Sequence, residues 1–162
     1  MTALRTLDWP PVWLLAALAL TWGFDRLIPW GLFGPMGQGF GPVLAVAGLV
    51  LMAVAAAQMV LSRTSFIPRR DPAALVTTGA FALSRNPIYL GDLLVLAGAI
   101  LYWDVPVAVP VLFLFVAIIQ ARFILGEEAR LRARFPDAYR QWSARVPRWF
   151  GLPLRRMPQG RN

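Results

Sequence analysis

Four apolar blocks, at about residues 10–28, 42–61, 87–103 and 106–125, constrain this chain more than any other feature. A helix of twenty residues rises about 30 Å, one hydrocarbon thickness of a bilayer. The block at 42–61 is the cleanest, with Gln58 as its one strongly polar residue. Its small residues Ala45, Ala47, Gly48, Ala53, Ala55, Ala56 and Ala57 predict close packing against another helix. The first block opens on Pro10 and Pro11, which a first helical turn tolerates. It ends on Asp25 and Arg26, which are expected to pair or to reach the interface. Residues 31–41 are rich in Gly and Pro and predict a loop. The last two blocks are separated only by the break at Asp104-Val105-Pro106, so they predict a tight helical hairpin. The fold class expected is all-α: one integral membrane domain over 1–162, a polytopic bundle of four transmembrane helices.

Composition supports a lipid solvent. Of 162 residues, 58% are hydrophobic and only 15% charged, against roughly a quarter charged in soluble domains. The chain has no Cys and no His. Disulfides, thiolate nucleophiles, the commonest metal ligands and the commonest general base are therefore excluded, and no metal site is expected. All sixteen basic residues are Arg, and the net charge is +8. They flank the apolar blocks, which points to lipid head groups and membrane topology and away from nucleic acid. Four lie in the polar stretch 62–86 and ten from Arg122 onward. The positive-inside rule then puts both termini and that stretch in the cytoplasm. Arg-only, Ala-rich usage suggests a GC-rich bacterial genome, hence a bacterial inner membrane. Arg5 before the first block resembles a signal peptide, but no small-residue cleavage site precedes Trp22-Gly23-Phe24, so an uncleaved span is expected.

After Leu125 the pattern changes. Leu131, Phe135, Tyr139, Trp142 and Val146 recur at helical spacing, interrupted by Pro136. Two short helices meeting near Phe135 are predicted, lying along the cytoplasmic interface. The tail from Leu152 is expected to fray.

Four polar features could carry chemistry. The segment from Leu75 to Gly91 gathers hydroxyls, an aromatic ring, Arg85 and Asn86 at a helix start, with Asn86 as N-cap and Pro87 at the first helical position. Such a start offers free N–H groups to an anion, with Gly79 and Gly91 allowing a ligand to approach the backbone. An ordinary helix-opening loop is the plainer reading. Glu127 and Glu128 close the fourth block, where negative charge is disfavoured unless a bound cation or Arg122, Arg130 or Arg132 offsets it. Asp92 lies one turn inside the third block, as an interfacial acid, a partner of Arg85 or Arg122, or a substrate contact. Arg122 is either a topological anchor or the holder of an anionic head group. Gln58 is expected to hydrogen-bond another helix.

The order of motifs is Leu75-Val76-Thr77-Thr78-Gly79, Ser84-Arg85-Asn86-Pro87-Ile88-Tyr89-Leu90-Gly91, a helical hairpin, Glu127-Glu128, Phe135-Pro136-Asp137-Ala138-Tyr139 and Arg145-Val146-Pro147. It resembles the isoprenylcysteine carboxyl methyltransferase and phospholipid methyltransferase family of membrane-embedded enzymes that use S-adenosylmethionine. The resemblance covers about residues 73–147. It implies a cofactor pocket at Ala73, Ala74, Leu75, Val76, Phe81, Asn86, Pro87, Ile88, Tyr89 and Glu127. Glu127 would face the cofactor ammonium, and Arg122 and Asp92 would meet the acceptor, with Glu127 and Arg122 as the catalytic pair. Many members carry His where this chain has Asn86, and Tyr where it has Phe81. The position of the prenylcysteine-specific substrate Arg falls here on Phe123, one residue after Arg122. The implied activity is methyl transfer to a lipid or small hydrophobic acceptor at the cytoplasmic face. With no His, a carboxylate acceptor is favoured because it needs no base; an amine or thiol would require Glu128 or Asp92. The alternatives are a non-catalytic membrane protein of the same fold and a nicotinamide-dependent membrane reductase.

Overall fold

The computed structural model describes residues 8–28, 30–64 and 72–150. Arg5, Arg69, Arg70, Asp71 and the tail from Leu152 lie outside the described residues. Within them every regular element is helical: α1 (Pro10–Leu27), α2 (Gly34–Leu61), a single turn at Ala80–Leu83, α3 (Pro87–Tyr102), α4 (Pro106–Arg134) and α5 (Pro136–Ser143). Helices α2 and α4 are long and apolar enough to cross a membrane; α3 is apolar but shorter. Along α2, Val43, Val46, Leu49, Val50 and Val54 stay exposed, an apolar face of the kind lipid covers.

Helix α2 starts earlier than its apolar block. Residues 34–41, expected as loop, are helical because their glycines serve packing. A Cβ on Gly37 would lie 2.6 Å from the Leu101 carbonyl oxygen, and one on Gly41 2.6 Å from that of Gly98. Gly48 and Gly91 face each other in the same way: a Cβ on Gly48 would lie 2.5 Å from the Gly91 carbonyl oxygen, and one on Gly91 2.6 Å from that of Gly48. This glycine seam lets α2 and α3 run backbone to backbone. Of the small residues expected to pack, Gly48 and Ala55 are buried on this side, whereas Ala47, Ala53 and Ala57 face outward. Gly91 thus admits α2, not a ligand.

The start of α2 is held from the far side of the hairpin. Asp104, at the α3–α4 tip with φ 57°, accepts backbone N–H groups from Leu32 (2.8 Å), Phe33 (2.6 Å) and Gly34 (3.0 Å). These are donors a helix N-terminus leaves unpaired. The hydrogen bonds from Phe33 and Leu32, joined by Gly34, hold the Asp104 carboxyl below the usual carboxylate range. At the neighbouring end of α1, Asp25 and Arg26 pair at 3.8 Å, with the guanidinium over the Trp22 ring, as their sequence position suggests.

Helices α1, α3 and α4 share one core of Ala17, Leu96, Ile100, Phe115, Ile119, Phe123 and Ile124. Helix α4 does not end at the apolar block. A single π-helical turn at Gln120–Ile124 carries it into the charged stretch Leu125–Arg134. The acids Glu127 and Glu128 therefore stand inside a continuing helix, and the dipole penalty expected for a C-terminal end does not apply to them. The predicted break at Pro136 is present: α4 ends at Arg134 and α5 begins at Pro136. Tyr139, Trp142 and Val146 from the predicted stripe pack on Ala55, Ala80 and Phe81 as a second core.

Candidate functional site

Between the two cores lies a cavity of about 550 Å³, within the range of small-molecule sites. Its walls come from distant parts of the chain: Met52, Ala56 and Met59 of α2, the segment Ala74-Leu75-Val76, Phe81, the start of α3, and Glu127, Glu128, Arg130 and Leu131 of α4. Trp9, Pro10 and Pro11 at the head of α1 and Tyr139 and Trp142 of α5 complete it. The surface is mostly apolar, with a few polar groups converging at one side.

Local chemistry explains each wall. Gln58 accepts the Ala80 N–H (3.0 Å) and donates toward the Thr78 carbonyl (3.4 Å), so its partner is the loop at Gly79 and not another helix. Gly79 sits at φ 60°, against the Gln58 amide, a conformation and clearance that suit only glycine. Buried Thr64 accepts the N–H groups of Ala73 (3.1 Å) and Ala74 (3.3 Å) through its hydroxyl. That bond lays Leu75 and Val76 along the cavity, while Ala73 itself is exposed and outside the lining.

Asn86 occupies the N-cap position of α3 and Pro87 the first turn, but the Asn86 side chain does not cap the helix. Its Nδ2 donates to the Arg148 carbonyl (3.0 Å), which also accepts the Ser84 hydroxyl (3.1 Å). The Arg85 N–H donates to the Pro147 carbonyl (2.9 Å) and Trp142 Nε1 to that of Phe81 (3.0 Å). The C-terminal segment is thereby tied across the loop that opens α3.

One turn apart on α3, Tyr89 and Asp92 face the cavity. The Tyr89 hydroxyl donates to Glu127 Oε1 at 2.9 Å, bringing the start of α3 and the acid pair of α4 together. Glu128 is buried and doubly paired. Arg148 holds both of its oxygens, at 2.9 and 2.8 Å, and Arg85 Nη1 lies 3.3 Å away. Arg85 also donates to the Tyr139 hydroxyl at 2.8 Å, leaving its Nε buried without a hydrogen-bond partner. The hydrogen bond to Glu128 holds the Arg148 guanidinium above its ordinary value.

The arginines expected to bridge the acids, Arg122, Arg130 and Arg132, are therefore not the ones that hold Glu128. Arg122 is outside the cavity lining: its guanidinium makes two hydrogen bonds to Asp8, at 3.0 and 3.1 Å, and lies over the Trp13 ring. Asp92 pairs with neither Arg85 nor Arg122. Sequence reasoning missed Arg148. It stands next to the motif Arg145-Val146-Pro147, yet no linear spacing says which of ten arginines reaches Glu128. It also missed Met52, Met59 and Thr64, whose place on the wall follows from the glycine seam.

A family model described as phospholipid methyltransferase matches residues 38–138, from α2 into α5. No curated protein and no solved structure matches the chain.

Proposed function

Because this chain belongs to the phospholipid methyltransferase family, we propose that it is an S-adenosylmethionine-dependent methyltransferase acting on a lipid or small hydrophobic acceptor. The observation that carries this reading is the Tyr89–Glu127 contact on the wall of a cavity of about 550 Å³. It joins the two motifs the family resemblance relies on.

The residues present suit such a cofactor. Leu75, Val76, Phe81 and Leu131 offer an apolar bed for a purine. Glu127 offers a carboxylate to an ammonium, with Tyr89 fixing its orientation. The segment from Asn86 to Tyr89 brings helix-opening backbone to the same wall. When bound, the cofactor supplies an activated methyl group. The protein's share is alignment and exclusion of water, which the apolar walls and the tied C-terminal segment provide.

The bilayer arrangement proposed is four spans, α1 to α4, with both termini cytoplasmic and α5 at the interface, in a bacterial inner membrane. The arginine distribution supports it. An acceptor then reaches the cavity from the lipid side. Its head group has to coexist with the carboxyls of the lining, a requirement that bears against the carboxylate acceptor favoured by the lack of His. Nothing in the family match supports the nicotinamide reductase alternative.

Thermal unfolding of detergent-purified protein tests the reading. S-adenosylhomocysteine raises the melting temperature and NADPH does not. A protein stabilised by neither is a non-catalytic member of the family, and one stabilised by NADPH alone is a reductase.

A further inference from the structure

Of the three acids on the cavity wall, two are engaged. Glu127 takes the Tyr89 hydroxyl and Glu128 is held by Arg85 and Arg148. The third, Asp92, is 2% exposed, and no hydrogen bond or ion pair joins it to any described residue. Burying a carboxyl without a partner costs several kcal/mol in general, and proteins keep such groups where a ligand completes them. The surroundings could have supplied a partner: Arg85 and Arg130 line the same cavity. The fold instead commits Arg85 to Glu128 and Tyr139.

We propose that Asp92 is the acceptor-recognising residue of this cavity, accepting a hydrogen bond from an N–H or O–H of the methyl acceptor. The proposal rests on the methyltransferase reading above and adds the acceptor's chemistry. Asp92 follows Tyr89 by one turn of α3, so its carboxyl lies deeper along the helix than the Tyr89–Glu127 contact. A carboxylate head group at that depth would set one carboxyl against another, and the two would hold only one negative charge between them, sharing a proton. An amine or hydroxyl supplies a hydrogen bond to the Asp92 carboxyl and, when the amine is charged, the counter-charge that favours its ionised form. Asp92 thus selects hydrogen-bearing acceptors and disfavours the carboxylates that a chain without His would otherwise be expected to use.

Two probes with the same alkyl chain, n-dodecylamine and dodecanoate, separate these chemistries in a binding measurement that needs no turnover. Detergent-purified protein saturated with S-adenosylhomocysteine is titrated with each below its critical micelle concentration. The wild-type protein binds the amine about tenfold or more tightly than the carboxylate, the scale of one charge-assisted hydrogen bond. Asp92→Asn abolishes that preference and leaves the affinity for S-adenosylhomocysteine unchanged. Equal preference in wild type and variant overturns the assignment, as does a wild-type protein that prefers dodecanoate or binds neither probe. The wild-type comparison decides the matter even if the variant does not fold. Failure of S-adenosylhomocysteine to bind the wild-type protein sinks the methyltransferase reading instead, so the two failures are distinguishable.

Discussion

The two buried acids of the cavity wall, Glu128 and Asp92, are built on opposite terms. Around Glu128 the chain gathers two guanidiniums, a tyrosine and the C-terminal segment, which together pair both carboxylate oxygens. Around Asp92 no described residue completes a hydrogen bond or an ion pair, and its carboxyl borders the cavity. The first arrangement is a structural latch, since Arg148 anchors the segment that Ser84 and Asn86 also grip. The second leaves a polar group incomplete until something enters. A burial count alone would treat the two acids alike; their partners separate a residue kept for the fold from one kept for a ligand.

Removing each acid should break this symmetry of burial. Glu128→Ala strands Arg85 and Arg148 and should cost about 3–5 kcal/mol of stability, read by denaturant unfolding in detergent. A loss below about 1 kcal/mol would put both walls on the same footing. Glu127→Gln lies between the two cases. It should keep the fold but weaken S-adenosylhomocysteine binding about tenfold or more, measured by calorimetry. Unchanged affinity would remove Glu127 from the cofactor site. Gly91→Ala tests packing away from both acids. The added methyl meets Met52 and the Gly48 carbonyl and should destabilise by about 1–3 kcal/mol, seen as a lower melting temperature with the amine preference retained. Asp92→Leu sharpens the contrast from the other side. It removes an incomplete polar group and should leave the ligand-free protein as stable or more so, by up to about 2 kcal/mol; a large loss would mean Asp92 is structural after all.

The smallest effect concerns a third acid, outside the cavity. Asp104 has its carboxyl held below the ordinary value by the N–H groups at the start of α2. Its contribution is therefore complete above the unfolded carboxyl value, about pH 4, and is lost as pH falls through the lower folded value. Asp104→Asn should flatten the acid limb of the melting-temperature profile below about pH 4 and leave the neutral region nearly unchanged. An identical acid limb in the variant would exclude Asp104 as its source.

Much of the scaffold was legible because apolar runs and proline breaks act locally. The α3–α4 hairpin and the α4–α5 break at Phe135-Pro136 both fall where the pattern placed them. Residues 34–41 were not legible as helix. Glycines that soften a loop and glycines that let two helices touch look the same in sequence, and only the facing Gly91 and Gly98 distinguish them. The length of α4 was missed for a related reason, since a charged stretch after an apolar block carries no sign that a π-helical turn will join the two. In the cavity, Leu75, Val76, Phe81, Asn86, Tyr89, Asp92 and Glu127 come from segments whose order in the chain already suggested a common site. Arg122 and Arg148 exchange the roles that proximity in sequence suggests. Arg122 lies close to the acids along the chain but reaches Asp8, and distant Arg148 folds back onto Glu128. Ion-pair choice is set by the tertiary path of the C-terminal segment, which no short window of sequence contains.

The most direct test of the central claim is an experimental structure of the protein with S-adenosylhomocysteine bound. The account predicts the nucleoside against Leu75, Val76 and Phe81, its ammonium beside Glu127, and open space left next to Asp92. A nucleoside bound elsewhere, with the cavity between α3 and α4 closed, would contradict it.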